Sequence, residues 1–204
     1  MSILDPRDAP LWERARPFLD VRSNDVHTLI SYRLGIALLR QNPEAAASIV
    51  LPAIVLHDTG WKLMPADKLA AAVGPTPKYP ELQREHEIAG VAIARDILAA
   101  VADPSIPVEP VIAIIDGHDT RAEPHSLEDA LMKDADKLWR FTAHGVATIG
   151  GWFDTPAAET VAMLESFVLP KFCTATGRAM AEALLAEQYA SVHLDHAMAG
   201  GSAT

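Results

Sequence analysis

The sequence is short of cysteine, of positive charge and of long apolar runs. Cys173 is the single cysteine in 204 residues, so no disulfide can close within the chain, and a reducing, cytoplasmic setting is expected. Lysine and arginine number 17 against 27 aspartate and glutamate, a formal net charge of −10. Nucleic-acid polymers and anionic membranes call for basic surface, so neither is expected as a partner. A small anion stays within reach, because a local metal ion outweighs the global sign. No apolar stretch is long enough and free enough of charge to span a bilayer. The opening MSILDPRDAPLWERARPFLD lacks the basic segment and apolar run of a secretory signal. Repeats, low-complexity linkers and composition shifts are missing as well, which leaves a single domain as the expectation.

What the sequence has is apolar bulk, half of its residues, arranged with helical periodicity. In VRSNDVHTLISYRLGIALLRQNP the apolar residues Val26, Leu29, Ile30, Leu34, Ala37 and Leu38 recur at three- and four-residue steps behind the capping types of Ser23 to Asp25. Pro43 stops that helix. A second spans 44–56, with Pro52 expected to kink or restart it. A short helix is expected over 65–73, a loop over GPTPKYP, and a long helix over 81–101 with Ile88, Val91, Ala92, Ile97 and Leu98 as its apolar residues. Residues 108–115 are β-branched enough to favour a strand read alone; no strand partner is evident, so a helix is expected. Further helices are expected over 127–149, 156–167 and 170–196. The organisation is then an N-terminal segment 1–20, one all-α domain 21–197, and a disordered tail 198–204.

The stretch AIVLHDTGW ends an apolar helix on an imidazole and a carboxylate, His57 and Asp58. Such a pair is costly to bury unless it is partnered, and a metal ion is one such partner. His27, His86, His118 and Asp136 also lie inside or at the ends of expected helices, which can aim ligands into a bundle interior. Each taken singly is explained as well by a hydrogen-bonded core histidine or a solvated charge. His125, His144, His193 and His196 lack such surroundings and read as surface or packing residues.

The joint pattern resembles the HD-domain superfamily of metal-dependent phosphohydrolases. The resemblance is carried by His27 in NDVHTLISYRLGIALL, the His57-Asp58 doublet in HDTG, REHEIAG around His86, IIDGHDTR around His118, and Asp136 in DADKL. Among its branches the small bacterial HD hydrolases are the most similar, and LPKFCTATGRAMAEALL resembles their C-terminal helix. The resemblance runs from about Asp25 to about Ala190. It implies an all-α, single-domain HD-type helical bundle. It also implies His27, His57, Asp58 and Asp136 as ligands of a first metal, with Asp134 orienting a ligand. His86 and His118 match the ligands of a second metal, with Asp58 bridging. Where many relatives carry a His-His pair this chain has His118-Asp119, so Asp119 takes the place of a ligand or general base.

The activity implied is hydrolysis of a small phosphate ester, a nucleotide among the candidates, by a metal-activated water. The donor set suits Mn, Fe, Ni, Co or Zn, with Mg admissible, at one or two ions per chain. Asp58, Asp119 and Lys62 are the expected catalytic residues; Lys62, Arg84 and Arg121 are the expected phosphate contacts, each with a solvated surface side chain as the plain alternative. A homo-oligomer is compatible with all of this. Two other functions fit the same ligands: an HD-fold diiron oxygenase and a non-catalytic nucleotide-binding HD regulatory module.

Overall fold

The computed structural model describes residues 3–200. Among them the regular elements are helical, and the expected all-α, single-domain HD-type bundle holds. In chain order the α-helices are α1 (Ala9–Ala15), α2 (Asn24–Gln41), α3 (Ala47–Leu56), α4 (Glu81–Val101), α5 (Val108–Ile115), α6 (Leu127–Leu138), α7 (Ala143–Phe153), α8 (Ala157–Met163) and α9 (Ala175–Gly200). Helices α2, α3 and α6 pack on one another at the centre, α5 lies on α3 and α4, and α9 closes the bundle against α6 and α8. One core runs through them, with Leu38, Ile54, Leu56, Ile115, Leu131, Met132 and Leu138 fully or almost fully buried.

The N-terminal segment 1–20 contributes to that core. Its helix α1 begins with Pro10 in the first turn, where a missing N–H costs nothing. Leu11, Ala15 and Leu19 are fully buried. The Tyr32 hydroxyl of α2 donates to Asp8 and accepts from the Asp5 N–H at 3.1 Å, tying the segment down.

Several expected boundaries move. The helix expected over 44–56 starts at Ala47 and runs through Pro52 unbroken. The short helix over 65–73 is two separate 3₁₀ turns, Ala66–Lys68 and Ala70–Ala72. The helix expected over 127–149 is two, because Thr142 is extended and its hydroxyl accepts from the Gly145 N–H, starting α7 afresh. The helix expected over 156–167 ends at Met163 and widens into a π turn, Leu164–Val168. The last helix starts at Ala175, after a 3₁₀ turn Leu169–Lys171, and continues to Gly200. It therefore extends into the start of the expected tail; residues 201–204 and the side chain of His196 lie outside the described residues.

Two helices bury Leu38, Ile97 and Leu98 as expected but are otherwise rotated from the faces expected of them. Buried on α2 are Asn24, His27, Thr28, Ser31, Tyr32, Gly35 and Leu38, while Val26 is 38 % exposed. On α4, His86, Glu87, Gly90, Ile93 and Ala94 turn inward, and Ile88 is 56 % exposed. Both rotations serve the site described next.

Candidate metal centre

His57 to Leu63 form a 3₁₀ helix directly after α3. This turn lies hard against α4, and the fit depends on glycine. A Cβ on Gly60 would stand 1.9 Å from the His86 carbonyl oxygen, and one on Gly90 would stand 3.2 Å from the His57 carbonyl oxygen. The close approach carries His57 and Asp58 toward His86.

His27, His57, Asp58 and Asp136 converge. His27 Nε2 is 3.1 Å from His57 Nε2 and 3.4 Å from both Asp58 Oδ2 and Asp136 Oδ1; His57 Nε2 is 3.5 Å from Asp58 Oδ1 and 3.6 Å from Asp136 Oδ1. The second group meets the same carboxylate. His118 Nε2 is 3.6 Å and His86 Nε2 3.9 Å from Asp58 Oδ1, and the two imidazole nitrogens are 3.3 Å apart. Asp119 Oδ2 lies 3.6 Å from His86 Nε2 and 3.8 Å from His118 Nε2.

This arrangement passes a test for a metal. Donors about 2.1 Å from an ion stand roughly 3.0–3.4 Å from one another in octahedral or tetrahedral geometry. The first group, at 3.1–3.6 Å, is at or just beyond that spacing, and the second, at 3.3–3.9 Å, is wider. Three of the imidazoles are also set up as ligands. Nδ1 of His57, His86 and His118 lies 2.8, 3.3 and 2.9 Å from the carbonyl oxygens of Ile54, Leu82 and Ile115. A proton on Nδ1 leaves the Nε2 lone pair free for the centre. His27 Nδ1 is buried with no partner. Asp58 is oriented by the Trp61 indole N–H at 3.1 Å, and the Trp61 ring stacks on His86.

Electrostatics agree with the crowding. Burial lowers His27 and His86 to about 4. Burial opposes protonation of His118 too, yet the carboxylates of Asp119 and Asp58 outweigh it and lift this imidazole to about 9. Burial pushes the Asp58 carboxyl up, but His57, His118 and His27 more than reverse this and hold it far below the usual carboxylate range.

The other expected site residues divide. Arg121 lines the cavity beside the cluster, but its guanidinium is taken by Asp129 at 2.7 Å and by the Asp116 carbonyl oxygen. Lys62 is not among the lining residues; it pairs with Asp20 at 2.5 Å on the surface. Arg84 is likewise off the cavity, bound to Glu87 and Asp116 at 2.9 and 2.6 Å. Asp134 does not orient a ligand as expected. Its carboxylate accepts from the Cys173 and Thr174 N–H groups and the Thr174 hydroxyl, fixing the entry to α9.

Four residues escaped the sequence reading. Glu87, fully buried, accepts from the N–H groups of Asp119 and Thr120, the Thr120 hydroxyl and Arg84, at 2.7–2.9 Å. Lys133, also buried, donates to the carbonyl oxygens of Gly117, His118 and Arg121 from the opposite side. The loop carrying His118 is thus clamped between an anion and a cation. Arg22 sits in left-handed backbone, φ 55°, with its guanidinium 4.6 and 4.5 Å from the ring centroids of Trp61 and Trp152 and its Nε without a partner. Arg140 pairs with Asp136 at 3.0 Å. The one sequence signal for the first two was charge at helix positions that pack inward; for Arg22 and Arg140 it was proximity to His27 and Asp136.

Arg22, Asn24, His27, Asp58, Asp136 and Arg140 share the wall of a cavity of about 840 Å³. Residues 25–140, more than half the chain, match the family model of the HD domain. The protein therefore belongs to the HD-domain family, most of whose members are metal-dependent hydrolases. No curated protein and no solved structure matches the chain.

Proposed function

We propose that the protein is a metal-dependent phosphohydrolase acting on a small phosphate ester, with nucleotides among the substrates to try. The observation that carries this reading is the junction at Asp58, one carboxylate facing both His/Asp groups on the wall of a cavity that also presents Arg22 and Arg140. His27, His57, Asp58 and Asp136 would hold a divalent ion, which would supply Lewis acidity toward a water and a phosphoryl oxygen. Arg22, its guanidinium 4.6 and 4.5 Å from two indole centroids, and Arg140, pinned through Nη1, offer N–H groups to the phosphate. These two replace Lys62 and Arg84 as the phosphate contacts. Asn24 Nδ2, buried without a partner on the same wall, adds a donor. Asp119, with 28 % of its side chain exposed, takes the proton released by the water and passes it to solvent. Trp152, Phe153 and Phe167 line the cavity and contact the organic part of the ester. The partner is this small substrate, not a nucleic-acid polymer or a membrane, and the setting is cytoplasmic.

Metal analysis followed by a phosphate-ester panel with each divalent ion tests the reading. Wild type should hydrolyse at least one ester, and Asp58→Ala none. No hydrolysis with any metal overturns it. Iron with a mixed-valence EPR signal and no hydrolysis puts the oxygenase in its place, and nucleotide binding with neither puts the regulatory module there.

A further inference from the structure

The cavity extends beyond the cluster to residues 170–173, and its wall there is basic in a chain of net charge −10. Lys137, in the last turn of α6, and Lys171, in the 3₁₀ turn before α9, both line it. Neither ammonium pairs with a carboxylate among the described residues. Lys137 Nζ donates to the Lys133 carbonyl oxygen at 3.0 Å, and Lys171 Nζ stands 3.3 Å from the Phe167 ring centroid. Lys171 lies below the ordinary lysine range, first through burial and then through the positive charges of Arg140 and Lys137, so the three cations share one field. Arg140 is bonded through Nη1 alone. The carboxylates on the cavity wall are Asp58, Asp119 and Asp136, all within the metal cluster, and the exposed Glu123. Like charges gathered on one wall repel one another unless an anion joins them.

We propose that Lys137 and Lys171 form a second anion-binding subsite, so that the substrate is a phosphate ester carrying a further anionic group, phosphate or carboxylate. This rests on the phosphohydrolase reading and narrows its substrate class. The scissile phosphate sits at the cluster with Arg22. The second anion sits toward Lys171, and the apolar wall between them holds the body of the molecule.

Two matched series test it: glucose 6-phosphate, 6-phosphogluconate and glucose 1,6-bisphosphate; and adenosine 5′-monophosphate against adenosine 3′,5′-bisphosphate. In at least one series the doubly anionic ester should be preferred by about tenfold in kcat/KM, through KM. The Lys137→Gln, Lys171→Gln double variant should reduce that preference to about twofold or less, and Lys→Arg at both positions should keep it. A preference for 6-phosphogluconate identifies a carboxylate as the second group, and one for either bisphosphate a phosphate. No preference in wild type, or a double variant that lowers both esters alike, overturns the subsite. Were no ester hydrolysed, the phosphohydrolase reading would fall, and calorimetric titration with the same compounds would still judge the subsite. Binding of the doubly charged compound weakened about tenfold in the double variant supports it; unchanged binding overturns it.

Discussion

The two halves of the His/Asp cluster are built by different means. His27, His57 and Asp136 stand on α2, on the turn that ends α3, and on α6, the helices packed at the centre of the core. They are 2, 1 and 8 % exposed, and Arg140, 3.0 Å from Asp136, is the one charged side chain from outside the cluster that pairs with them among the described residues. His86 stands on α4, but His118 and Asp119 stand on the loop after α5, where chain direction is free to vary. That loop is fixed by Glu87 from one side and Lys133 from the other. A ligand on a packed helix is positioned by the packing; a ligand on a loop needs buried polar bonds of its own.

The largest effect is expected from the residue that belongs to both halves. With metal saturating at 100 to 1,000 times its dissociation constant, the native state should gain about 3–4 kcal/mol, read as a rise in melting temperature over chelated protein. Asp58→Ala should abolish most of that gain and take metal from both halves together. If the variant keeps one ion per chain at full occupancy, Asp58 is not shared and the comparison is drawn in the wrong place.

Next is the joint between the halves. In Gly60→Ala the new Cβ meets the His86 carbonyl oxygen, backbone that cannot rotate away, so the 57–63 turn must back off from α4. A loss of about 3 kcal/mol is expected in denaturant unfolding. A loss under about 1 kcal/mol would mean that the two segments are less tightly seated than their separation indicates.

Glu87→Gln tests the clamp alone. The mutant amide nitrogen cannot accept the Asp119 and Thr120 N–H groups and the Thr120 hydroxyl as both carboxylate oxygens do. Stability should fall by about 2 kcal/mol. Metal affinity should drop roughly 10–100-fold in the second half only, seen as one ion lost per chain on dilution. Equal losses from both halves would erase the distinction drawn above. The smallest effect should come from Thr120→Val, which removes one hydroxyl donor to Glu87 and is expected to cost about 1 kcal/mol.

Legibility in the sequence follows the same division. Helix α4 falls where periodicity and flanking prolines place it, because an apolar stripe and its breakers are local information, whereas α5 was read as a helix only from its helical surroundings. The split between α6 and α7 was hidden, since Thr142 and Gly145 look unremarkable in a helical pattern until the hydroxyl caps a new turn. Helix α1 was missed because its few apolar residues show no periodicity over seven positions. On α2 and α4 the apolar residues gave only part of the inward face: Leu38, Ile97 and Leu98 are buried, but the rest of that face carries His27 and Ser31, or His86 and Glu87. Their partners lie on α6, on the 57–63 turn and in the loop after α5, at sequence distances no periodicity spans.

By itself the sequence determined which side chains exist to bind a metal and that helices would carry them. It joined His57 to Asp58 at a helix end, and it set glycine at 60, where nothing larger fits, and at 90, where a Cβ would be tight. Only the tertiary structure decided which of those side chains meet. Asp134 and Asp136 are two residues apart on α6, about 200° around the helix, and are chemically identical. One faces His27 and the other holds the start of α9, because the core closes on α6 from one side and α9 approaches from the other. The fold likewise placed Arg22 and Arg140 beside the cluster and left Lys62 and Arg84 in surface ion pairs. Charge type is written in the chain, but the direction in which a charge points is settled by what packs against its helix.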